Sequence, residues 1–183
     1  MHAKISNFIK ILFEDTRYLV LGIIDGVLVV LGVMFSGYAL NIDTGHIFIA
    51  SLAGGIGISI SCAVGTIFAE LAEAKKDLRK IESQMLSDLS NTHLEKKQSS
   101  KMWVSTVMHG LSAFFGAILP IIPLLFMEGR NAYYAGIFIA LFILFSLGIY
   151  LGKIIKKNLI LYGILLTIVG VVVAVISYLL GAH

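Results

Sequence analysis

Three carboxylates, Glu70, Glu73 and Asp77, recur at i, i+3 and i+7, a spacing that puts them on one face of a helix just where a long apolar run gives out. Like charges so placed repel one another, and a cation among them relieves the repulsion, so the trio reads as a cation site. Asp25 is a second candidate. It lies about 9 Å inside an apolar stretch, where an ionised carboxylate costs roughly 2.5 to 3.5 kcal/mol. A charge kept at that cost marks a pathway or a binding site; the plainer alternative is a protonated or hydrogen-bonded aspartate that ties two helices together. His109, in another apolar run, could relay protons, bind metal, or simply bond to a neighbouring helix. Met85, Asp88, His93 and Glu95 are weaker ligand candidates, because a solvated helix face accounts for charges in that stretch.

The elements that must position these groups are membrane helices. Of 183 residues, 58% are hydrophobic and 14% charged, which leaves too little polar surface for a soluble domain. Lipid offers no partner to free backbone groups, so the spans must be helices or a closed barrel. The apolar runs are long and continuous rather than alternating, so helices are expected. Five spans are predicted, over residues 19–40, 47–71, 102–127, 132–151 and 159–180. The fold class is an all-α integral membrane protein of five transmembrane helices, with a cytoplasmic helical extension between the second and third.

The second helix has no reason to stop at the membrane edge. Between residues 47 and 89 there is no proline and no glycine after Gly65, and Leu71, Ala74, Leu78, Ile81 and Met85 take up the spacing of a coiled-coil seam. Gly55, Ser59, Cys62, Thr66, Ala69 and Glu73 form a stripe of small and polar side chains, fitting either the wall of a polar path or close helix packing. On the first span Gly22 and Gly26 make a small-xxx-small pair where another helix can approach, with Asp25, Val29, Gly32 and Ser36 on the adjacent face. Thr92, His93, Leu94 and Glu95 have the form of a capping box that starts the helix returning to the bilayer. Pro120 and Pro123 should kink or unwind the third span.

The chain divides into an amphipathic N-terminal helix (1–18), the first two spans (19–73), a cytoplasmic helical insert (74–101) and the last three spans (102–183). The N-terminal segment is expected to be retained rather than cleaved as a signal peptide. Of the 14 lysines and arginines, all but Arg130 fall before the first span, between the second and third, or between the fourth and fifth. That bias puts the N-terminus and the insert in the cytoplasm and the C-terminus outside, with the cell membrane as the expected location. The same residues border apolar runs, where anchoring explains them and nucleic-acid binding does not. Cys62, the single cysteine, offers neither a disulfide framework nor a zinc-ribbon spacing. With no Ser/His/Asp set, HExxH or phosphate-binding loop, an enzyme is not expected. The last two spans carry no ionisable group other than tyrosine and serve as scaffold.

Three segments occur in a telling order: Asp25-Gly26 in a glycine-rich first span, Ser61-Cys62-Ala63-Val64-Gly65 leading into an acidic extension, and Gly116-Ala-Ile-Leu-Pro120-Ile-Ile-Pro123. With the five spans and the charged insert, they make the chain resemble the vacuolar iron transporter family over essentially its whole length. The resemblance implies a homodimer whose first spans line a path along the interface and move ferrous iron or manganese out of the cytoplasm against protons. Asp25 would correspond to the intramembrane metal or proton carboxylate. The family's second span usually reads Ser-Met-Ala-x-Gly-Glu; here Cys62 stands for the methionine and Thr66 for the glutamate, with Glu70 one turn beyond. The insert is also shorter and poorer in glutamate than the family's metal-binding domain. Cys62 can serve as a soft ligand in the methionine's place.

The favoured function is secondary transport of divalent transition-metal ions. Glu70, Glu73 and Asp77 gather cations at the cytoplasmic mouth, Asp25 and Cys62 form the membrane site, and Asp25 releases a proton as metal binds. Fe2+ or Mn2+ is then substrate, and no resident cofactor is required. Carboxylates alone suit manganese or ferrous iron, while a thiolate shifts preference towards softer ions. The alternative is a non-transporting scaffold or regulator that docks a partner through the helical insert, its acids paired with Lys76 and Lys80 on an exposed face.

Overall fold

The computed structural model describes residues 16–85, 93–127 and 129–182, and among these the chain is helical throughout, without strands. The elements are α1 (Thr16–Ala39), α2 (Thr44–Met85), α3 (His93–Ile121), the single turn α4 (Pro123–Phe126), α5 (Arg130–Ile154) and α6 (Leu159–Gly181). Five stretches are long and apolar enough to cross a membrane: Thr16–Ala39, Thr44–Lys80, Ser100–Phe126, Arg130–Ile154 and Leu159–Gly181. Their outward side chains, Phe68, Phe138 and Leu180 among them, are apolar and exposed, as a lipid-facing surface requires.

One boundary differs from the expectation, and the second helix runs on past its apolar stretch without a break, as its sequence implies. α1 is already helical at Thr16, the first described residue, so Arg17 and Tyr18 belong with the first span rather than to a separate segment; the rest of that expected amphipathic helix lies outside the described residues. α2 is a single 42-residue helix. At 1.5 Å per residue it is about 63 Å long, about twice the thickness of a bilayer core. Of the predicted insert, the described residues are the ends of α2 and α3. Asp88 lies outside the described residues, as do the side chains of Met85, His93 and Glu95 and the expected coiled-coil contact. α3 is already helical at His93, the first residue described there, and Thr92 with the expected capping box lies outside the described residues.

Local chemistry sets the remaining ends. Asp43 opens α2, its Oδ2 accepting the Gly45 N–H at 2.9 Å, and the exposed His46 ring lies 3.6 Å from the same carboxylate. Pro120 is tolerated in the last turn of α3, the helix ends at Ile121, and Pro123 opens α4 at a position whose N–H would have no helical partner anyway.

α1 is the axis of the bundle, touching α2, α3, α5 and α6. With lipid outside there is little hydrophobic drive between helices, so close approach depends on small residues. α5 and α6 meet at Gly148, where a Cβ would stand 2.6 Å from the Gly163 Cα. Two buried apolar clusters flank α1, one around Val27, Leu31, Ala140 and Leu144, the other around Val30, Met34, Ile47, Ala117 and Ile121.

Candidate metal centre

Asp25 sits between Gly22 and Gly26, and the two glycines decide what it meets. A Cβ on Gly22 would lie 2.6 Å from the His109 carbonyl oxygen, and one on Gly26 would lie 2.7 Å from the Ala117 nitrogen. With only hydrogen at both positions, α3 lies flush on α1 and carries the His109 ring to Asp25, Nε2 standing 3.7 Å from Oδ2. From α2, the Cys62 Sγ approaches the same oxygen at 3.5 Å. One ligand atom from each of Asp25, Cys62 and His109 lies within 4.8 Å of the other two. Cys62 is buried and the His109 side chain is 13% exposed, whereas the Asp25 side chain is 42% exposed.

Thr66 orients the imidazole. Its Oγ1 lies 2.8 Å from the Cys62 carbonyl oxygen, one turn back, and 2.7 Å from His109 Nδ1. A hydroxyl has one proton; where Thr66 gives it to the carbonyl, it accepts from Nδ1–H. The neutral ring then keeps its lone pair on Nε2, a buried atom without a hydrogen-bond partner among the described residues. A lone pair facing a carboxylate oxygen at 3.7 Å is repulsive, and a cation between the two reverses the sign. The two separations that involve Asp25 suit a small ion. Tetrahedral coordination with bonds of about 2.0–2.1 Å to N and O and about 2.3 Å to S spans roughly 3.4 Å from N to O and roughly 3.6 Å from S to O. The observed 3.7 and 3.5 Å are close to both edges.

The acidic cluster divides. Glu70 faces the bundle and accepts a hydrogen bond from the Tyr18 hydroxyl at 2.6 Å; that hydroxyl accepts one from Arg17 Nη2 at 2.9 Å, and the Tyr18 ring lies 5.5 Å from the His109 ring. Glu70 thus reaches the centre through Tyr18. Glu73 and Asp77 are exposed on the continuing helix and are not among the converging ligand atoms. The inward stripe of α2 accordingly runs Ser51, Gly55, Cys62, Thr66, Glu70, while Ala69 and Glu73, which the sequence spacing assigns to it, face out. Towards the opposite end, Val30, Met34, Ala117 and Ile121 form an apolar layer, beyond which Tyr38, Asp43, Arg130 and Tyr133 line a cavity of about 640 Å³.

His109 ranks below the carboxylates on sequence alone, Thr66 registers only as part of the polar stripe and in the place of the family's glutamate, and Tyr18 does not register as functional. Their signal is spacing: Tyr18, Gly22 and Asp25 lie on one face of α1, and Cys62 and Thr66 are one turn apart on α2.

Comparison with known proteins adds an independent line. The model of the VIT family matches residues 66–182, which include Thr66, Glu70 and His109. An uncharacterised protein of Methanocaldococcus jannaschii is 33% identical over 170 residues, covering 91% of this chain and 88% of that protein. A family match over more than half the chain and a relative aligned with nearly all of it lead to one conclusion: the chain belongs to the VIT family, a family of membrane metal-ion transporters.

Proposed function

We propose that the protein carries divalent transition-metal ions across the membrane, with Asp25, Cys62 and His109 as the binding centre along the way. The observation that carries this reading is the convergence of the three ligand atoms within 4.8 Å inside a bundle of apolar helices. Gathering a carboxylate, a thiol and an imidazole where water is scarce costs desolvation energy that apolar side chains of similar size would avoid. Ferrous iron or manganese is the substrate class that kinship with the family implies.

The ion leaves the cytoplasm in this scheme. The bias of basic residues supports a cytoplasmic N-terminus and a cytoplasmic extension of α2 in the cell membrane, so Glu70, Glu73 and Asp77 would meet ions first. The apolar layer at Val30, Met34, Ala117 and Ile121 closes the far side, so release requires α1 and α3 to rearrange. Metal binding displaces protons from its ligands, which supports coupling to proton flow in the opposite direction.

The functional unit in this reading is a homodimer. Gly57, Ser61 and Gly65 repeat every fourth residue on an exposed face of α2, and a Cβ on either glycine would meet nothing. Asp25 is partly exposed on the neighbouring helix, and an uncovered carboxylate in lipid is costly. A second copy docked on that small-residue face would cover both.

Uptake of Fe2+ or Mn2+ into proteoliposomes tests the reading. Wild type should accumulate metal and Asp25→Asn should lose at least about tenfold of the rate. Equal rates would remove Asp25 from the mechanism, and no uptake by wild type would favour the scaffold that docks a partner through its helical insert.

A further inference from the structure

The donor set at the centre is mixed, one oxygen, one sulfur and one nitrogen, with the oxygen 3.5 Å from the sulfur and 3.7 Å from the nitrogen, two separations close to tetrahedral edges. We propose that this centre discriminates among divalent ions, taking tetrahedral ions of borderline softness, of which Zn2+ and Co2+ are the test cases, in preference to Mn2+.

Manganese is best served by six oxygen donors in an octahedron, whose neighbouring oxygens stand about 3.0 Å apart when bonds are about 2.1 Å. Asp25 Oδ2 lies 3.5 Å from Cys62 Sγ and 3.7 Å from His109 Nε2, both wider than that. Softness acts in the same direction. Thiolate and imidazole raise affinity most for ions late in the divalent series, where manganese stands lowest. The lone pair that Thr66 leaves on Nε2 makes His109 a ready neutral ligand, so the nitrogen donor is preset before metal arrives. Three protein ligands leave a fourth position open, which suits an ion that must also leave. Glu70, the nearest carboxylate of the acidic cluster, is engaged by Tyr18, so converting the site to an all-oxygen cage would require breaking that bond.

This inference rests on the transport reading only in assuming that the centre binds metal, and the experiment separates the two. Purified full-length protein in detergent is titrated with Co2+, whose bond to a thiolate gives a charge-transfer absorption band. The expected result is one band per binding site, absent in Cys62→Ser, and displaced by Zn2+ at concentrations at least about a hundredfold below those at which Mn2+ displaces it. If the band appears and is lost in Cys62→Ser, but Mn2+ displaces Co2+ as readily as Zn2+ does, the selectivity is overturned while the centre stands. If wild type gives no band and no saturable Co2+ binding, both the centre and the selectivity fall. Cys62→Asp provides a second measure: in a variant that remains monodisperse, the gap between Zn2+ and Mn2+ should narrow at least about tenfold, and an unchanged gap overturns the role given to sulfur.

Discussion

The Tyr18 hydroxyl donates to Glu70 across 2.6 Å, and the ring that carries it lies 5.5 Å from His109. One side chain therefore joins an acid on α2 to the metal-ligand cluster between α1, α2 and α3. Because the hydroxyl also accepts from Arg17, the arrangement holds Arg17, Tyr18 and Glu70 together at the start of α1, on the side where the acids of α2 begin. An ion passing from Glu70 to Asp25 must displace Tyr18 or slip past it.

Tyr18→Phe keeps the ring and removes the bond. A hydrogen bond to a charged group contributes about 1.5–3 kcal/mol, so the variant should unfold at lower temperature. Metal should nevertheless reach the centre several-fold faster, because Glu70 is released. Stopped-flow mixing of detergent-solubilised protein with Co2+ measures the association rate; a rate equal to wild type would show that Tyr18 does not stand in the path.

Glu73 and Asp77 are exposed and are not among the converging ligand atoms, so they should act through their field. Neutralising both as Glu73→Gln with Asp77→Asn should slow uptake a few-fold at about 0.01 M ionic strength and leave it near wild type at about 0.15 M, where the Debye length has shrunk to about 8 Å. A loss that survives high salt would mean that these carboxylates bind the ion directly.

Gly26 carries the closest part of the α1–α3 contact. A β-carbon there would meet the Ala113 carbonyl carbon at 3.0 Å and the Ala117 nitrogen at 2.7 Å, both backbone atoms that cannot swing aside. Gly26→Val should cost about 1–3 kcal/mol and move His109 away from Asp25, weakening Co2+ binding along with stability. Gly57→Ala is the matched comparison, since its β-carbon meets nothing within the single chain and can act only at the face between copies; its Co2+ binding should stay at the wild-type level. Equal effects in the two variants would refute the packing account.

How much of this was readable in advance depends on whether the information is local. The five spans follow from apolar runs, because lipid imposes the same demand on every residue of a span. Asp25 stands out by type alone, being a carboxylate among leucines and valines. His109 does not, since its meaning comes from Asp25 and Thr66, which approach from other helices at contacts that only Gly22 and Gly26 permit. Tyr18 lies just outside the continuous apolar run, although α1 is already helical there. The stripe on α2 was followed correctly to Thr66 and then diverged: a helix of 3.6 residues per turn allows a step of three or four, and the structure takes four, turning Glu70 inward and Glu73 outward.

The exposed face of α2 makes a prediction about assembly. Replacing Ser61 and Gly65 by leucine fills a surface that touches nothing in the single chain, so the fold should be retained. If a second copy docks there, the double variant should run as a monomer in light scattering, where wild type runs as a dimer. A variant that stays dimeric would move the interface elsewhere and leave the partial exposure of Asp25 to be covered by lipid headgroups or water.

Thr66 offers the sharpest test of the centre, because it touches no ion in any version of the mechanism. With its own proton on the Cys62 carbonyl, its hydroxyl accepts from His109 Nδ1–H and so leaves Nε2 as a lone-pair donor. Thr66→Val keeps the shape and deletes the acceptor; the imidazole is then free to place its proton on Nε2, where it would bond to Asp25 and oppose a metal. Loss of such an outer partner costs about 10- to 100-fold in metal affinity, and Co2+ titration should show a drop of that size with the thiolate band still present at saturation. Thr66→Ser restores the hydroxyl and should recover most of the affinity. If valine binds as tightly as threonine, the tautomer of His109 is set by something else, and the preset nitrogen ligand is lost from the account.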